Sequence, residues 1–457
     1  MKQLFTVALT LILTLGIITP IEASQDVYIR SESQVASQVL IEAMDLILTR
    51  YIRNHITVNN LMEAAFRGMF EILDRRYINI NEDGFDIFIR SRSGPLNGSE
   101  RLLAEAMDLI INIYSEDYLT VDLLMEAALH GISEILDRYS FYMSAEEFDI
   151  FMRAISGRIV GIGVTLITRG DGRAEISRVV ANSPAQAMGV FPGDILISVG
   201  GKSVTGMTVE DISVLITNSE TEWIRIGVER NGHPLIFNIL KAEIHVPTVV
   251  AYRLENIPEA GNLSGLSQFR YMRISSVGHD TGDDVRLALN QMQREGVKGL
   301  VLDLRNNVGG SLDVTMDIAN QLVPRGVVLR TVNPNGRRRT YSSTLQEMPF
   351  EHVVVIVNRH TASAAEVIAS ALQDSGAAVI VGETTFGKGS VQSIHGLENN
   401  GVMILTTEEY FRRNGGAIDG IGVVPCIEIS PQSVTQGRHD ATLRLALETL
   451  VSIRMQQ

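Results

Sequence analysis

Ser363 and Lys388 are the residues of this 457-residue chain whose types and surroundings best suit covalent chemistry. Ser363 stands in "TASAAEVIASALQDSG" (361–376), where an apolar run gives way to a helical pattern that ends at Gly376. A serine at a helix start is ordinarily an N-cap. It acts as a nucleophile only when a base takes its hydroxyl proton and donors stabilise the oxyanion that forms. The sequence offers candidates for both.

Lys388 is the candidate base, in the stretch "GETTFGKGSVQ" (382–392). A lysine amine accepts a proton only if desolvation lowers its pKa, and the apolar neighbours Phe386 and Val391 would favour this. If a strand begins at residue 388, side-chain alternation places Gln392 on the same face as Lys388. Gln392 is therefore predicted to orient the neutral amine. A lone lysine in a glycine loop is otherwise a surface residue.

Backbone amides at two places could form an oxyanion hole. Gly309 and Gly310 follow a buried-looking strand in "GLVLDLRNNVGG" (299–310), and Ala364 comes directly after the serine. The dipole of the helix that starts there would add positive potential. Gly309, Gly310 and Ala364 are therefore the predicted donors.

Alternating strands and helices must position these residues. From residue 243 to 457, apolar β-type runs alternate with stretches of helical periodicity, which predicts an α/β domain. Before it, between residues 158 and 242, glycines separate short β-branched runs, which predicts a small β-rich domain. Its loop "GIGV" comprises Gly161, Ile162, Gly163 and Val164. Glycine would let this loop turn its N–H groups toward the terminal carboxylate of a peptide added at an open sheet edge.

The front of the chain is an internal duplication. "EAMDLI" at 42 and 105, "LMEAA" at 61 and 124, "EILDR" at 71 and 134, and "FDIF" at 85 and 148 all repeat at an offset of 63 residues. The apolar spacing predicts two sets of amphipathic helices, copy 1 (35–98) and copy 2 (99–157), joined by a linker near 91–100. Their apolar faces predict either added bulk or a surface for homo-oligomerisation or for docking an adaptor protein.

Composition narrows the setting. Residues 1–23 have the charged start, apolar run and small-residue end of a signal peptide, which predicts export to the periplasm or to the outer face of the cytoplasmic membrane. An uncleaved anchor is the alternative. The single cysteine, Cys426, excludes an intramolecular disulfide, and the formal net charge of −14 argues against a nucleic-acid partner.

Taken together, the motifs resemble the carboxyl-terminal processing proteases, also called tail-specific proteases. The resemblance covers about residues 105–430 and rests on "LDRYSFYMSAEEF", "LVLDLRNNVGG", "TASAAEV", "GETTFGKGSVQ" and "TTEEYF". It implies a PDZ domain in the middle and a cofactor-free serine peptidase. It also implies Ser363 and Lys388 as the catalytic pair, with Gln392 beside them.

The resulting prediction is a multidomain α+β protein: a helical N-terminal repeat region, a PDZ-like β-rich domain and an α/β peptidase domain. We expect it to recognise the free C-terminus of protein or peptide substrates and to cleave upstream. The alternatives are a Ser-His enzyme using His360, a catalytically silent PDZ-type peptide-binding protein, and a helical scaffold. No metal is expected, because histidines are scattered and no His-Glu-x-x-His motif occurs.

Overall fold

A computed structural model describes residues 31–53, 55–74, 96–114, 119–217, 221–429 and 440–455. The predicted signal peptide (1–23) and residues 91–95 of the predicted linker lie outside these ranges. Within them, no helix is both long enough and apolar enough to cross a bilayer.

The duplicated region forms helices in both copies, as its apolar spacing predicts. The elements are α1 (Glu32–Arg50), α2 (Val58–Asp74), α3 (Leu96–Tyr114), α4 (Val121–Glu134), β1 (Phe141–Met143) and α5 (Ala145–Ile155). Ser31 and Gln34 form a capping box at the start of α1, and the Thr120 hydroxyl accepts from the N–H of Leu123 at the start of α4. The caps account for where these two helices begin.

The middle of the chain forms the predicted small β domain. Its elements are β2 (Arg158–Gly161), β3 (Val164–Thr168), β4 (Ala174–Val179), α6 (Pro184–Ala187), β5 (Ile195–Val199), β6 (Lys202–Ser203), α7 (Val209–Thr217), β7 (Trp223–Arg230), β8 (His233–Leu240) and β9 (Ala242–His245). The sheet order is β3-β4-β5-β7-β8, with β6 on β5, while β2 pairs with β9. Strand β3 is therefore an open edge on which a peptide could add.

The remainder of the chain alternates strands and helices. The elements are β10 (Val249–Arg253), β11 (Phe269–Ile274), α8 (Thr281–Arg294), β12 (Gly299–Asp303), α9 (Leu312–Leu322), β13 (Gly326–Val332), β14 (Arg338–Ser343), β15 (His352–Val357), α10 (Ala364–Asp374), β16 (Val379–Gly382), β17 (Ser390–Gly396), β18 (Val402–Arg412), β19 (Ile427–Glu428) and α11 (Ala441–Met455). Strands β11, β12, β15, β16 and β19 run parallel in that order, and β10 joins β11 antiparallel. The predicted α/β layer is confirmed.

The chain divides into two compact units that do not follow sequence order. The first unit comprises Met1–Ile150, Leu329–Tyr341 and Lys388–Gly420, and the second comprises Phe151–Val328, Ser342–Gly387 and Ile421–Gln457. In the first, β18 pairs with β1, β13 and β17, and the side chains of Met403 and Leu405 enter the core of the helical repeat. Strands from the predicted peptidase region thus complete the hydrophobic core of the N-terminal helices.

The second unit has a separate core in each of its two layered parts. Inside the β domain, Ile176, Ile226 and Ile239 are fully buried. In the α/β layer, α11 covers the parallel sheet with Leu447 and Leu450, which pack against Val354 and neighbouring residues.

Candidate active site

Ser363 lies between a buried strand and a helix, in the second unit. All six residues of β15 are buried, and α10 begins at Ala364, one residue after the serine. Ser363 has φ 54° and ψ −120°. An ordinary N-cap serine has an extended backbone, whereas this positive φ is strained for any residue with a side chain. Such strain persists only where surrounding contacts enforce it, and it concentrates at functional sites.

Hydrogen bonds from the two residues before Ser363 to backbone carbonyls of a neighbouring segment hold the strained turn. The N–H of Ala362 donates to the Asn307 carbonyl oxygen (2.8 Å), and the hydroxyl of buried Thr361 donates to the Leu304 carbonyl oxygen (2.9 Å). Both acceptors belong to the segment that leads to Gly309. The turn of the predicted nucleophile and the turn of the predicted oxyanion hole are therefore joined directly.

Gly309 lies against the serine. A Cβ at Gly309 would stand 2.8 Å from the Ala364 nitrogen and 2.8 Å from the Ser363 Cβ, and the residue has φ 97°. At Gly310 a Cβ would stand 2.1 Å from the Val277 carbonyl oxygen. Only glycine satisfies both the space and the dihedral angle at Gly309. Gly309 and Ala364 thus lie beside Ser363, whereas Gly310, the next residue of the glycine turn, lies against Val277; all belong to one unit.

The three amides are not equivalent, however. The N–H of Gly309 already donates to the side-chain oxygen of Asn307 (2.9 Å), which is itself fully buried. The N–H of Ala364, as the first residue of α10, has no acceptor within the helix. No bond from the Gly310 N–H to the described part of the chain is formed. Ala364 and Gly310 are consequently the amides that remain available to an oxyanion.

Glu366, in the first turn of α10, is a further functional candidate. It is fully buried, and its carboxylate accepts from the N–H of Ser363 (2.8 Å), the hydroxyl of Thr385 (2.5 Å) and the N–H of Gly387 (2.7 Å). Lys388 follows Gly387 in sequence. One carboxylate therefore fixes both the backbone of the serine and the end of the segment that leads to the lysine.

A buried charge cluster anchors the end of β12, from which the glycine turn departs. Asp303 is fully buried and accepts from the Tyr271 hydroxyl (2.7 Å) and from the Arg305 guanidinium. Arg305 also donates to Asp440 (2.9 Å). Burial raises the pKa of the Asp440 carboxyl, but the hydrogen bonds from Arg305 outweigh it, and the net pKa is lowered. Burial raises the pKa of Tyr271, so its hydroxyl stays a donor.

Lys388 and Gln392 belong to the first unit. The Lys388 amine lies 4.7 Å from the ring centroid of Tyr139, and the Lys388 carbonyl oxygen accepts from the Tyr410 hydroxyl. The next residue, Gly389, donates its N–H to Asp419 (3.0 Å). The aromatic face of Tyr139 stabilises a cation at this point. No sequence pattern indicated that Tyr139 would meet the lysine, although it stands in the motif "LDRYSFYMSAEEF".

The structure does not place Gln392 by the simple side-chain alternation with Lys388 that the sequence predicts. Strand β17 begins at Ser390 and has an irregularity between Val391 and Gln392, so simple alternation from residue 388 does not apply. The Gln392 amide donates to the hydroxyls of Ser390 (2.9 Å) and Thr406 (3.2 Å).

Thr406 connects Gln392 to the turn that carries Tyr139. The Thr406 hydroxyl donates to Asp137 (3.1 Å), whose carboxylate also accepts from the Tyr139 N–H (2.8 Å). Gln392 is thereby joined through Thr406 and Asp137 to the backbone of the residue that contacts Lys388.

His360 and the possible metal ligands do not enter this arrangement. The His360 side chain is exposed, and its N–H donates to Asn358 (3.2 Å). Across the described ranges, no three His, Cys, Asp or Glu side chains cluster as metal ligands would.

In the loop 161–164, which is predicted to bind a peptide's terminal carboxylate, two carbonyl oxygens are hydrogen-bonded within the described part of the domain and two amide N–H groups are not. The Ile162 and Gly163 carbonyl oxygens accept from Ala185 (2.8 Å) and Val180 (2.9 Å). The N–H groups of Ile162 and Gly163 make no hydrogen bond to the described residues, although both residues are buried. Two buried amides without an acceptor suit an incoming carboxylate. Gly161 and Val164 flank them as the ends of β2 and β3.

Comparisons with known proteins agree with this organisation. The peptidase family S41 profile matches residues 268–429, and a PDZ domain profile matches residues 175–230. A "Probable CtpA-like serine protease" from Staphylococcus aureus is 28% identical over 350 residues, covering 75% of this chain and 68% of that protein. The protein of the same description from Staphylococcus epidermidis is 27% identical over 351 residues, covering 75% and 69%.

Among solved structures, an S41 protease from Bacteroides fragilis aligns over 94% of this chain and 100% of its own, with a TM-score of 0.51 and 16% identity. At that identity the likeness concerns the fold alone. The S41 match contains Ser363 and Lys388, whereas the PDZ match begins after the "GIGV" loop and does not contain it.

Proposed function

We propose that the chain is an exported endopeptidase of the carboxyl-terminal processing kind with a Ser-Lys mechanism, in agreement with the match of residues 268–429 to the peptidase family S41 profile, the PDZ match and the CtpA-like serine protease relatives. Ser363 is the nucleophile and Lys388 the general base. The observation that carries the proposal is the strained backbone of Ser363, φ 54°, enforced by Gly309 and Glu366.

The chemistry assigns one role to each group. The Lys388 amine, when neutral, accepts the proton of the Ser363 hydroxyl as its oxygen bonds to the scissile carbonyl carbon. The oxyanion of the tetrahedral intermediate accepts from the N–H of Ala364 and from the glycine turn, where Gly310 has the available amide. Lysine then returns the proton to the leaving amine, and water hydrolyses the acyl-enzyme by the same steps.

In the proposed mechanism Gln392 does not contact the reacting groups and acts through other residues. Through Thr406 and Asp137 it fixes the turn of Tyr139, and Tyr139 receives the lysine side chain between proton transfers. Gln392 is therefore a positioning residue in this mechanism.

Tail recognition belongs to the PDZ domain. The substrate's C-terminal residues add as a strand on β3, and the terminal carboxylate accepts from the Ile162 and Gly163 amides within the loop 161–164. The two buried amides without acceptors support this assignment. The substrates are therefore proteins or peptides with free C-termini. Export follows from residues 1–23 and places these substrates in the periplasm or at the outer face of the membrane.

Digestion of exported proteins by the purified chain, with fragments identified by mass spectrometry, tests the proposal. Wild type should generate new C-termini upstream of the tail, while Ser363→Ala and Lys388→Ala should generate none and still bind the tail peptide. Amidation of the substrate's C-terminus should slow cleavage. Cleavage by Ser363→Ala would refute the nucleophile, indifference to amidation would refute tail recognition, and binding without cleavage by wild type would indicate a silent peptide-binding protein.

A further inference from the structure

The two helical copies bury equivalent residues in one common core. Positions 63 residues apart in sequence are buried together in a single hydrophobic cluster. The pairs are Leu40 and Leu103, Ala43 and Ala106, Met44 and Met107, Ile47 and Ile110, Leu61 and Leu124, Met62 and Met125, Ala65 and Ala128, Phe66 and Leu129, and Met69 and Ile132. Each copy therefore presents the same apolar surface, and each surface is covered by the other copy.

Equivalent helices also pack against each other, α1 against α3 and α2 against α4. At the α2–α4 crossing a Cβ on Gly68 would stand 2.1 Å from the Ala127 carbonyl oxygen, and a Cβ on Gly131 would stand 2.3 Å from the Ala64 carbonyl oxygen. Gly131 is the equivalent of Gly68, and Ala127 is the equivalent of Ala64. Gly68 of copy 1 therefore meets Ala127 of copy 2, and Gly131 of copy 2 meets Ala64 of copy 1. Such a reciprocal pair of contacts is the signature of a two-fold, isologous interface.

The symmetry is closest at that crossing. Helix α1 additionally packs against α4. Copy 1 also makes two bonds outside the paired faces: Glu42 accepts from the N–H of Glu398 (3.0 Å), which follows β17, and the Tyr51 hydroxyl accepts from the N–H of Asp137 (2.8 Å) in copy 2. The equivalents of these two residues in copy 2 are Glu105 and Tyr114, identical in type. Another copy 2 could therefore supply the same groups at the positions of Glu42 and Tyr51.

We propose that the helical region is a dimer fused into one chain, in which copy 1 occupies the self-association surface of copy 2. The partner that this surface fits is a second copy of itself. Without copy 1, the apolar residues of copy 2 would form an exposed patch that requires a partner. Fusion keeps the two surfaces at an effective concentration of about a millimolar, so the internal partner excludes an external one. The full chain consequently does not assemble through these paired faces.

Sedimentation of four proteins tests the inference. The chain 24–457 should have the mass of a monomer, and a variant lacking residues 31–93 should have twice its own monomer mass, because copy 2 then pairs with copy 2 of another molecule. Gly131→Leu in the shortened variant should abolish that dimer. Gly98→Leu is the matched control, since a Cβ at Gly98 meets no atom within 4 Å in α3; it should leave the dimer intact.

A replacement variant covers the case in which the shortened chain does not fold. Residues 31–93 are exchanged for a second copy of residues 94–156, a segment of identical length. If the copies are interchangeable halves of a dimer, this protein should be monomeric and unfold within about 4 °C of wild type. An unfolded or aggregated replacement variant, or a folded monomeric shortened variant, overturns the inference. So does a full chain that is a dimer and separates into monomers on Gly131→Leu substitution.

Discussion

Replacement of Glu366 by glutamine is the sharpest test of how the nucleophile is held. The carboxylate is fully buried, and its hydrogen-bond donors include the N–H groups of Ser363 and Gly387 and the hydroxyl of Thr385. Two of these bonds reach one oxygen and one reaches the other. Whichever way a glutamine amide is oriented, its NH₂ group faces at least one buried donor.

The expected loss in the free energy of unfolding follows from these hydrogen bonds. A buried donor left without an acceptor costs about 1–3 kcal/mol, and hydrogen bonds to a charged group contribute about 1.5–3 kcal/mol each. Because one bond is lost and the others become neutral, we expect Glu366→Gln to lower the free energy of unfolding by about 2–4 kcal/mol. The strained backbone of Ser363 would relax, and a displacement near 1 Å can reduce catalysis by about 100-fold. We therefore expect kcat to fall by roughly 10- to 100-fold with little change in KM.

Two assays decide the outcome. Denaturant unfolding gives the free-energy change, and steady-state cleavage of a tailed peptide gives kcat and KM. Glu383→Gln is the matched control, because Glu383 is a half-buried carboxylate of the same unit that accepts a long bond, 3.4 Å, from the Arg359 N–H. Equal unfolding midpoints and equal kcat for Glu366→Gln and wild type would refute the idea that this carboxylate enforces the serine geometry.

Three further outcomes are expected. Tyr139→Leu should reduce kcat/KM about 2- to 30-fold, while Tyr139→Phe, which keeps the aromatic face 4.7 Å from the Lys388 amine, should stay near wild type; equal losses in steady-state cleavage would argue against the cation–π contact. Burial disfavours the charge of Asp194, but the hydrogen bonds from Arg230 outweigh burial and lower the pKa of the Asp194 carboxyl. The stabilisation from this carboxylate is therefore fully present above the unfolded-state pKa, about 3.9, and disappears as the pH falls through the lower folded-state pKa. Asp194→Asn should thus lower the unfolding temperature at pH 7, and the difference from wild type should shrink as the pH falls below about 3.9; a pH-independent difference would contradict this. Gly163→Ala should abolish tail-peptide binding measured by calorimetry, because its Cβ would stand 2.2 Å from a serine side chain, whereas Gly172→Ala, at a similar positive φ but in open space, should bind normally; equal affinities would show that the loop tolerates the clash.

Local patterns in the sequence were sufficient for the architecture. Periodicity of apolar residues predicted the helical copies, and β-branched runs between glycines predicted the small sheet domain. The fold class is confirmed, and the PDZ and S41 profiles match residues 175–230 and 268–429. The position of Ser363 at a strand-to-helix turn was also predictable, because it depends on neighbours within about ten residues. The roles of Ser363, Lys388 and Gln392 remain predictions that the experiments above address.

What tertiary structure alone decided concerns groups that are distant in sequence. The sequence could not indicate that the Asn307 carbonyl takes the N–H of Ala362, that Glu366 joins Ser363 to Gly387, or that Tyr139 lies against Lys388. It showed the duplication but not that the copies cover each other. Periodicity reports which face of an element is apolar, since that depends on the local backbone repeat. Which donor meets which acceptor depends on how elements separated by tens or hundreds of residues pack, and only the folded chain determines that.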